Sequence, residues 1–480
     1  MKKIFIFVLL CFSMVAASAQ DGDLSQAEQD AVIMEMEAAA EKAAAQAEEA
    51  ASRKKTGKNT VVDFLSSGET RHLEPYSGFS LGLAFTRLNI MGATDFPIGV
   101  PDILSAGDVP GIKENGRLIV DFKKIYSKDS VKKDGVDFNF GFGANDFLRL
   151  EFSSMAGGLG VSILSFTSRF DFNLTADVFK MLAEGLTEGV AKYGANVSGA
   201  IFAETVAVNW HRQNFLFPKL FFSVTPSHFL PIIYIPHSDL NIKFTNKDYI
   251  ELGLEGTAKV YMPFNVFKYM DGEDPGAMDL GGLDFSLQLE YALFAALDVG
   301  FTALNVPLVP AVLHTSSSLK FDPSRNTILS VRNLIDQDLE IKTDSITDWE
   351  RVDGTGENIV VRPMRMDFYA LLRPFQTDFL VVRPNIGFTV LNPSETGYFN
   401  MGVEAQLNLG RWFTASFFTG GYDGFFHNKL GLDLRILKIS RLYTNISMSS
   451  QDYGGAWTLK GLNVEIGAKW GGGFNGLTNF

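Results

Sequence analysis

The chain reads as an all-β protein: an antiparallel transmembrane β-barrel of about 14 strands with an N-terminal α-helical extension and a helix inserted between early strands. Three observations carry this. Apolar and polar residues alternate in run after run between Tyr249 and Trp470, an export signal stands at the N-terminus, and no later segment offers the ~18 consecutive apolar residues of a spanning helix. Successive strand side chains point to opposite faces, so each such run has one apolar and one polar side. In residues 249–262, Ile250, Leu252, Leu254, Ala258, Val260 and Met262 share one face, and Glu251, Glu255, Thr257, Lys259 and Tyr261 the other.

The export signal occupies residues 1–19. Lys2 and Lys3 precede an apolar stretch over 4–17, and Ala17-Ser18-Ala19 supplies a small-residue cleavage site, so the mature chain is expected to begin at Gln20. Cys11, the only cysteine, lies inside this signal, which leaves the mature chain without disulfide or thiolate chemistry. Acylation of Cys11 is the alternative, but Leu10 before it is not small. A net charge of −13 excludes nucleic acid as a partner, because phosphate binding needs a basic surface. Export, amphipathic strands and a mean hydropathy of +0.08 together place the expected location in an outer membrane, with its lipid and the barrel assembly machinery as partners.

Residues 20–60 form the expected periplasmic extension. Ser25 and Glu28 have capping-box spacing, and Ile33, Met36, Ala40, Ala43, Ala47 and Ala50 recur at helical intervals. Arg53, Lys54 and Lys55 suit a helix C-terminus, with Gly57 as its stop. Such a helix either stays solvated or packs on a partner, on itself or into a barrel mouth.

The barrel is expected over 61–480. Phe79, Leu81, Leu83 and Phe85 open it on one face. Residues 89–116, rich in Gly and Pro without a period, are expected to form a loop or plug insert. Val136, Phe138, Phe140 and Phe142 alternate with polar residues and glycines; the break at Ala144 and Asn145 before Leu148, Leu150 and Phe152 has the shape of a hairpin turn. Over 175–195, Phe179, Leu182, Leu186, Val190 and Tyr193 have helical spacing. Pro218, Pro226, Pro231 and Pro236 favour a loop over 215–236, the other reading being a broken ladder that leaves a lateral gap. Residues 322–364, charged and poorly periodic, are expected to be a long external loop.

In the later strands the apolar faces carry no charge while the opposite faces carry several, as lipid outside and a wet lumen inside require. The lumen-facing candidates are Glu251, Glu255, Lys259, Glu290, Glu404, Asp433, Arg435, Glu465 and Lys469, whose expected work is mutual pairing and pore selectivity. Catalytic and cofactor signals are missing. Gly78-Phe79-Ser80-Leu81-Gly82 matches a nucleophile-elbow pattern, but the alternation runs straight through Ser80, where that motif needs a sharp turn and a helix. His72, His211, His228, His237, His314 and His427 are scattered without ligand spacing. No enzymatic activity, cofactor or metal is expected.

The leading helix over 24–55, the segment R-F-D-F-N-L-T-A-D-V-F-K-M-L-A-E-G over 169–185 and the strand count resemble exported outer-membrane barrel proteins of spirochaetes and Bacteroidetes, within them the long-chain fatty acid transporter-like group. The resemblance is architectural. It implies a barrel plugged by an N-terminal segment, with an apolar pocket and a sideways exit, taking up hydrophobic small molecules such as long-chain fatty acids. A general diffusion porin and a structural or adhesive surface protein anchored by a barrel are the alternatives.

Overall fold

The computed structural model describes residues 78–472 except 84–86, 95–111, 114–116, 119–134, 155–156, 179–188, 213, 247–248, 323–326, 333–339, 343–349, 378, 391–396, 410–411, 437–439, 451–452 and 458–459. The expected signal peptide and the expected helical extension therefore lie outside the described residues, as do Phe179, Leu182 and Leu186.

Twenty-one hydrogen-bonded segments form one closed antiparallel sheet of fourteen wall strands. β1 comprises Gly78–Leu83 and Arg87–Thr94, β2 Val136–Asn145 and Leu148–Ser154, β3 Gly157–Leu174, β4 Gly189–Arg212 and β5 Leu220–Asn246. β6 comprises Tyr249–Met262 and Gly282–Phe294; β7 Leu297–Val309, Ala311–Phe321 and Thr327–Arg332; β8 Glu340–Lys342, Glu350–Val360 and Met364–Leu372. β9 is Leu380–Val390, β10 Gly397–Leu409, β11 Phe413–Tyr422, β12 Phe425–Ile436, β13 Ser440–Ser450 and β14 Leu462–Gly472. The ladder closes where Leu81 of β1 pairs with Trp470, and Arg87 with Gly467, of β14. Closure leaves no sheet edge in the wall, the condition for strands to sit in lipid.

Two adjacent rows of paired residues show which solvent each face meets. One row runs Phe142, Ile90, Val464, Ile446, Leu430, Phe417, Ala405 and Val382 across eight strands, and every member is apolar. The next row, one residue along, runs Asn89, Glu465, Asn445, Gly431, Ser416 and Gln406. Ile90 and Ile446 are 63% and 50% exposed, whereas Glu465 and Asn445 are 1% exposed. The apolar row thus faces outward and the polar row packs inside.

Several sequence expectations are corrected by the pairing. Val136–Asn145 and Leu148–Ser154 do not form a hairpin: both pair with β1 on one side and β3 on the other, so they are one strand. The break is a kink at Asp146, φ 52°, whose N–H donates to Ser165 Oγ. Asn89 to Thr94, expected in a loop or plug, complete β1 because they bridge β2 and β14. Only 176–178 of the expected helix is helical among the described residues; Val190 and Tyr193 belong to β4. There Tyr193 packs edge-on against Phe244 of β5, and long-range pairing overrides the local helical spacing.

The proline-rich stretch is not a loop from Leu220 onward but the first half of β5. Pro226 pairs in register with Phe285, and Pro231 sits where the ladder to β4 already shifts register. Nor is 322–364 a loop throughout, since it contains the upper segments of β7 and β8. Their polarity on both faces hid them: backbone pairing with Lys320 through Ala311, not an apolar face, holds Glu350–Val360 in place. Ser80 lies mid-strand between Gly471 and Glu151, without the turn a nucleophile elbow needs.

Folded protein in the membrane fraction is expected to migrate differently on electrophoresis before and after boiling. Ile446→Arg, a charge on the outer row, should lower stability by about 2–4 kcal/mol, read from the urea midpoint of protein refolded in lipid. An unchanged midpoint would show that this face does not meet lipid.

Candidate functional site

The wall is regular in β9–β14 and broken along one continuous line in β4–β8. The pairings Glu204 with Phe229, Gly282 with Phe229, Leu283 with Val309 and Ala311 with Val360 trace that line from strand to strand. At it, β4 shifts register between Glu204 and Val206, and β5 carries Pro231. β7 breaks at Pro310, and β8 at Val361, Arg362 and Pro363. β6 is interrupted outright: its two halves are separated by 263–281, while their partners on β5, Tyr234 and Phe229, are only a few residues apart. Leu230 to Ile233 of β5 consequently make no ladder with β6.

The insert in β6 is a folded unit. It contains one short helix, α1 (Val266–Met270), whose N-cap Asn265 accepts from Lys268 N–H at 3.0 Å. Arg351 pairs with Asp271 at 2.9 Å and stacks over Phe267 at 5.6 Å. Arg351 is register partner to Leu319, and Leu319 to Ala258, which face away from the lumen, so α1 covers the outer side of the wall. The C-terminal end of the insert is tied down by Asp279, which accepts from His314 N–H at 2.9 Å, and by Leu280 O, which accepts from His228 Nε2 at 2.6 Å. Gly281 re-enters the wall at φ +79°; a Cβ there would lie 2.3 Å from Phe229 O, so only glycine fits.

Inside the same line lies an apolar cluster of Phe202, Phe229, Tyr234, Tyr261, Ala311, Leu313 and Val360, drawn from β4 to β8. Phe202 and Phe229 meet edge to face at 6.2 Å. On one side the cluster rests on a buried ionic network. Arg362 of β8 donates from Nε and Nη2 to Asp284 of β6 at 2.6 and 2.5 Å, from Nη2 to Ser227 of β5 at 2.6 Å, and from Nη1 to Glu204 of β4 at 2.7 Å. Ser227 Oγ also donates to Asp284, and the guanidinium lies over the Phe229 ring at 5.3 Å. Four strand spacings of a flat sheet amount to ~19 Å, so a contact between β8 and β4 also requires the wall to curve around Arg362. Burial of three charges is tolerated because nearly every donor and acceptor is used.

The predicted lumen residues fall in several places. Glu404, Asp433 and Glu465 are buried on the inner face. Glu465 forms an ion pair with Arg87 at 2.6 Å and accepts from Lys429 at 3.5 Å and Asn445 at 3.1 Å. Glu290 accepts from Tyr369 OH at 3.1 Å, and Arg383 stacks over the Tyr369 ring at 4.5 Å. Glu255 pairs with Lys192 at 2.7 Å in an exposed position, and Lys259 lies over Tyr261. The side chains of Glu251, Arg435 and Lys469 lie outside the described set. Of these candidates only Lys259 adjoins the apolar cluster. Arg362, Glu204 and Phe202 are not among the residues the sequence singled out; the signal available for Arg362 was the Pro363 after it, a strand breaker beside a charge.

No protein-family profile matches the chain, and no curated protein is similar to it. Among solved structures, a ΔS2S3 mutant of the TodX monoaromatic hydrocarbon channel aligns at 11% identity and TM-score 0.40, covering 83% of this chain and 91% of that one. The Pseudomonas putida toluene transporter TodX aligns at 9% identity and TM-score 0.32, covering 82% and 89%, and Acinetobacter baumannii OccAB3 at 9% and 0.20, covering 82% and 98%. At these scores the likeness decides nothing about the site.

Removing Arg362 would leave Glu204 and Asp284 buried without their shared cation. Arg362→Met is therefore expected to cost about 3–5 kcal/mol, seen as a lower urea midpoint, with part of the loss recovered when Glu204→Gln and Asp284→Asn are added. An Arg362→Met barrel as stable as wild type would show the network to be dispensable.

Proposed function

We propose that this chain is an outer-membrane channel, without enzymatic activity, that passes hydrophobic small molecules, long-chain fatty acids being the class implied by the sequence resemblance. The observation that carries the reading is the apolar cluster on the inner face, set against the line along which the ladder of β4–β8 is broken. A lumen that served only water and ions has no use for Phe202, Phe229 and Leu313 on its inner side. The interrupted ladder at Leu230 to Ile233 supports a sideways path, since strands no longer bonded to each other can part at little cost in hydrogen bonds. The insert closing that path from outside exposes Tyr269, Met270, Met278 and Leu280, side chains suited to lipid contact.

A wide aqueous pore fits less well. The inner-row side chains of β9–β14, such as Asn400, Glu404 and Ser449, are buried against their neighbours and do not line a broad open channel.

Cells expressing the protein are expected to import labelled palmitate or toluene faster than cells lacking it, and Phe229→Ala with Leu313→Ala to slow that import. In planar bilayers the protein should give no steady ion conductance. Steady conductance without hydrophobic uptake would replace this reading with the porin.

A further inference from the structure

We infer that the insert over 263–281 is a hinged flap, held shut across the outer side of the broken ladder by the pair His314–Asp279, and that it opens as the medium passes from mildly acidic to alkaline. This rests on the reading of that break as a sideways path, and it adds what governs access from outside.

The insert is built to move as one body. Its two ends are bonded to each other as well as to the wall: Asp279 N–H donates to Pro263 O at 2.7 Å, and Asn265 N–H to Pro275 O at 3.2 Å. It can therefore leave the wall without unfolding. It rejoins β6 through Gly281 and Gly282, a pair that turns with little steric penalty. Beneath it, Ser317 and Val260 are register partners on the outer face and are 0% and 2% exposed, against 63% for Ile90 on the uncovered outer row. Ser317 donates to Asp353, and Asp353 pairs with Arg351, the residue that α1 meets.

Three polar ties hold the insert down, one each to β8, β5 and β7, and they answer differently to pH. Arg351, paired with Asp271, keeps its charge throughout. His228 keeps its bond to Leu280 O in either state, because Thr205 Oγ1, 2.8 Å from Nδ1, donates to the neutral ring and accepts from the protonated one. His314 is the tie that changes. Asp279 accepts from its backbone N–H at 2.9 Å and lies 2.8 Å from its Nδ1. With the ring protonated this is an ion pair; with the ring neutral it is an ordinary hydrogen bond, roughly half as strong. The charges that face His314 are Asp279 from the insert and Glu357 from β8, and β5 adds His228 beside Leu280. Both charges are acidic, so deprotonation leaves two carboxylates about a neutral ring. An imidazole makes that change across the neutral range.

The test uses the full chain refolded in detergent, with Cys11→Ser removing its only cysteine. Ser317→Cys places a thiol under the flap and, in a second protein, Ala277→Cys places one on its exposed surface. The rate of labelling by a water-soluble maleimide at the first, divided by that at the second, reads how often the flap is open. The ratio is expected to rise about two- to fivefold between about pH 5.5 and about pH 8.5, the range that an exposed ion pair supplies. His314→Gln and Asp279→Asn should each hold the ratio at its alkaline value at both pH values. His228→Gln should raise the ratio at both and keep the step. Val260→Cys gives the same reading where Ser317→Cys does not fold. A ratio independent of pH in the wild-type flap overturns the proposal, and so does a step of equal size in His314→Gln. Equal labelling of the two thiols at every pH overturns the flap itself. Import of labelled toluene with a ratio independent of pH keeps the sideways path and discards the flap. A ratio that follows His314 in cells that import neither toluene nor palmitate keeps the flap and discards the path.

Discussion

A strand in lipid has no water to take up its backbone N–H and C=O groups, and everything else in this barrel follows from that. The ladder must close on itself, and it does where β1 meets β14. Any departure from the ladder must then be covered by something else. In β9–β14 there is little to cover, and the wall is a plain alternation of apolar outer rows and polar inner ones. In β4–β8 the ladder is broken along one line, and each break has its own cover. The two halves of β6 are bridged by a folded insert and the broken β8 is anchored by Arg362; away from that line, Asp146 at the kink of β2 finds Ser165.

Arg362 is the group on which that broken half depends most. It joins β8 to β6, β5 and β4 over the inner face, strands whose direct ladders are weakest at that point. An arginine suits the place better than a lysine, because its planar fork meets Asp284 with two donors and keeps others for Ser227 and Glu204. With Arg362 neutralised by its partners, the neighbouring cluster has an electrically quiet floor.

Much of the wall was legible residue by residue. Glu404, Asp433 and Glu465 stand on polar faces in the sequence and on the inner face in the barrel, because a period of two leaves only two choices and lipid rejects one. Legibility failed where lipid does not impose the pattern. The upper part of β8 is polar on both faces and read as a loop; the prolines of β5 read as a loop because a broken ladder looks the same in sequence whether or not a neighbouring strand continues past it. Val190 and Tyr193 kept helical spacing by coincidence, and pairing with β5 overrode it.

The amino-acid sequence by itself determined the class of the fold and its near-exact strand number, since the amphipathic period and the lack of a long apolar run are both local properties. It also determined which face of most strands is polar. Tertiary structure alone decided where the wall breaks and what collects there. Arg362 lies 158 residues from Glu204 and 78 from Asp284 in the chain, and no local pattern can report a network assembled across that distance. The apolar cluster is likewise a product of register: Phe202, Phe229, Tyr261, Leu313 and Val360 come together only because five neighbouring strands are interrupted at the same level of pairing.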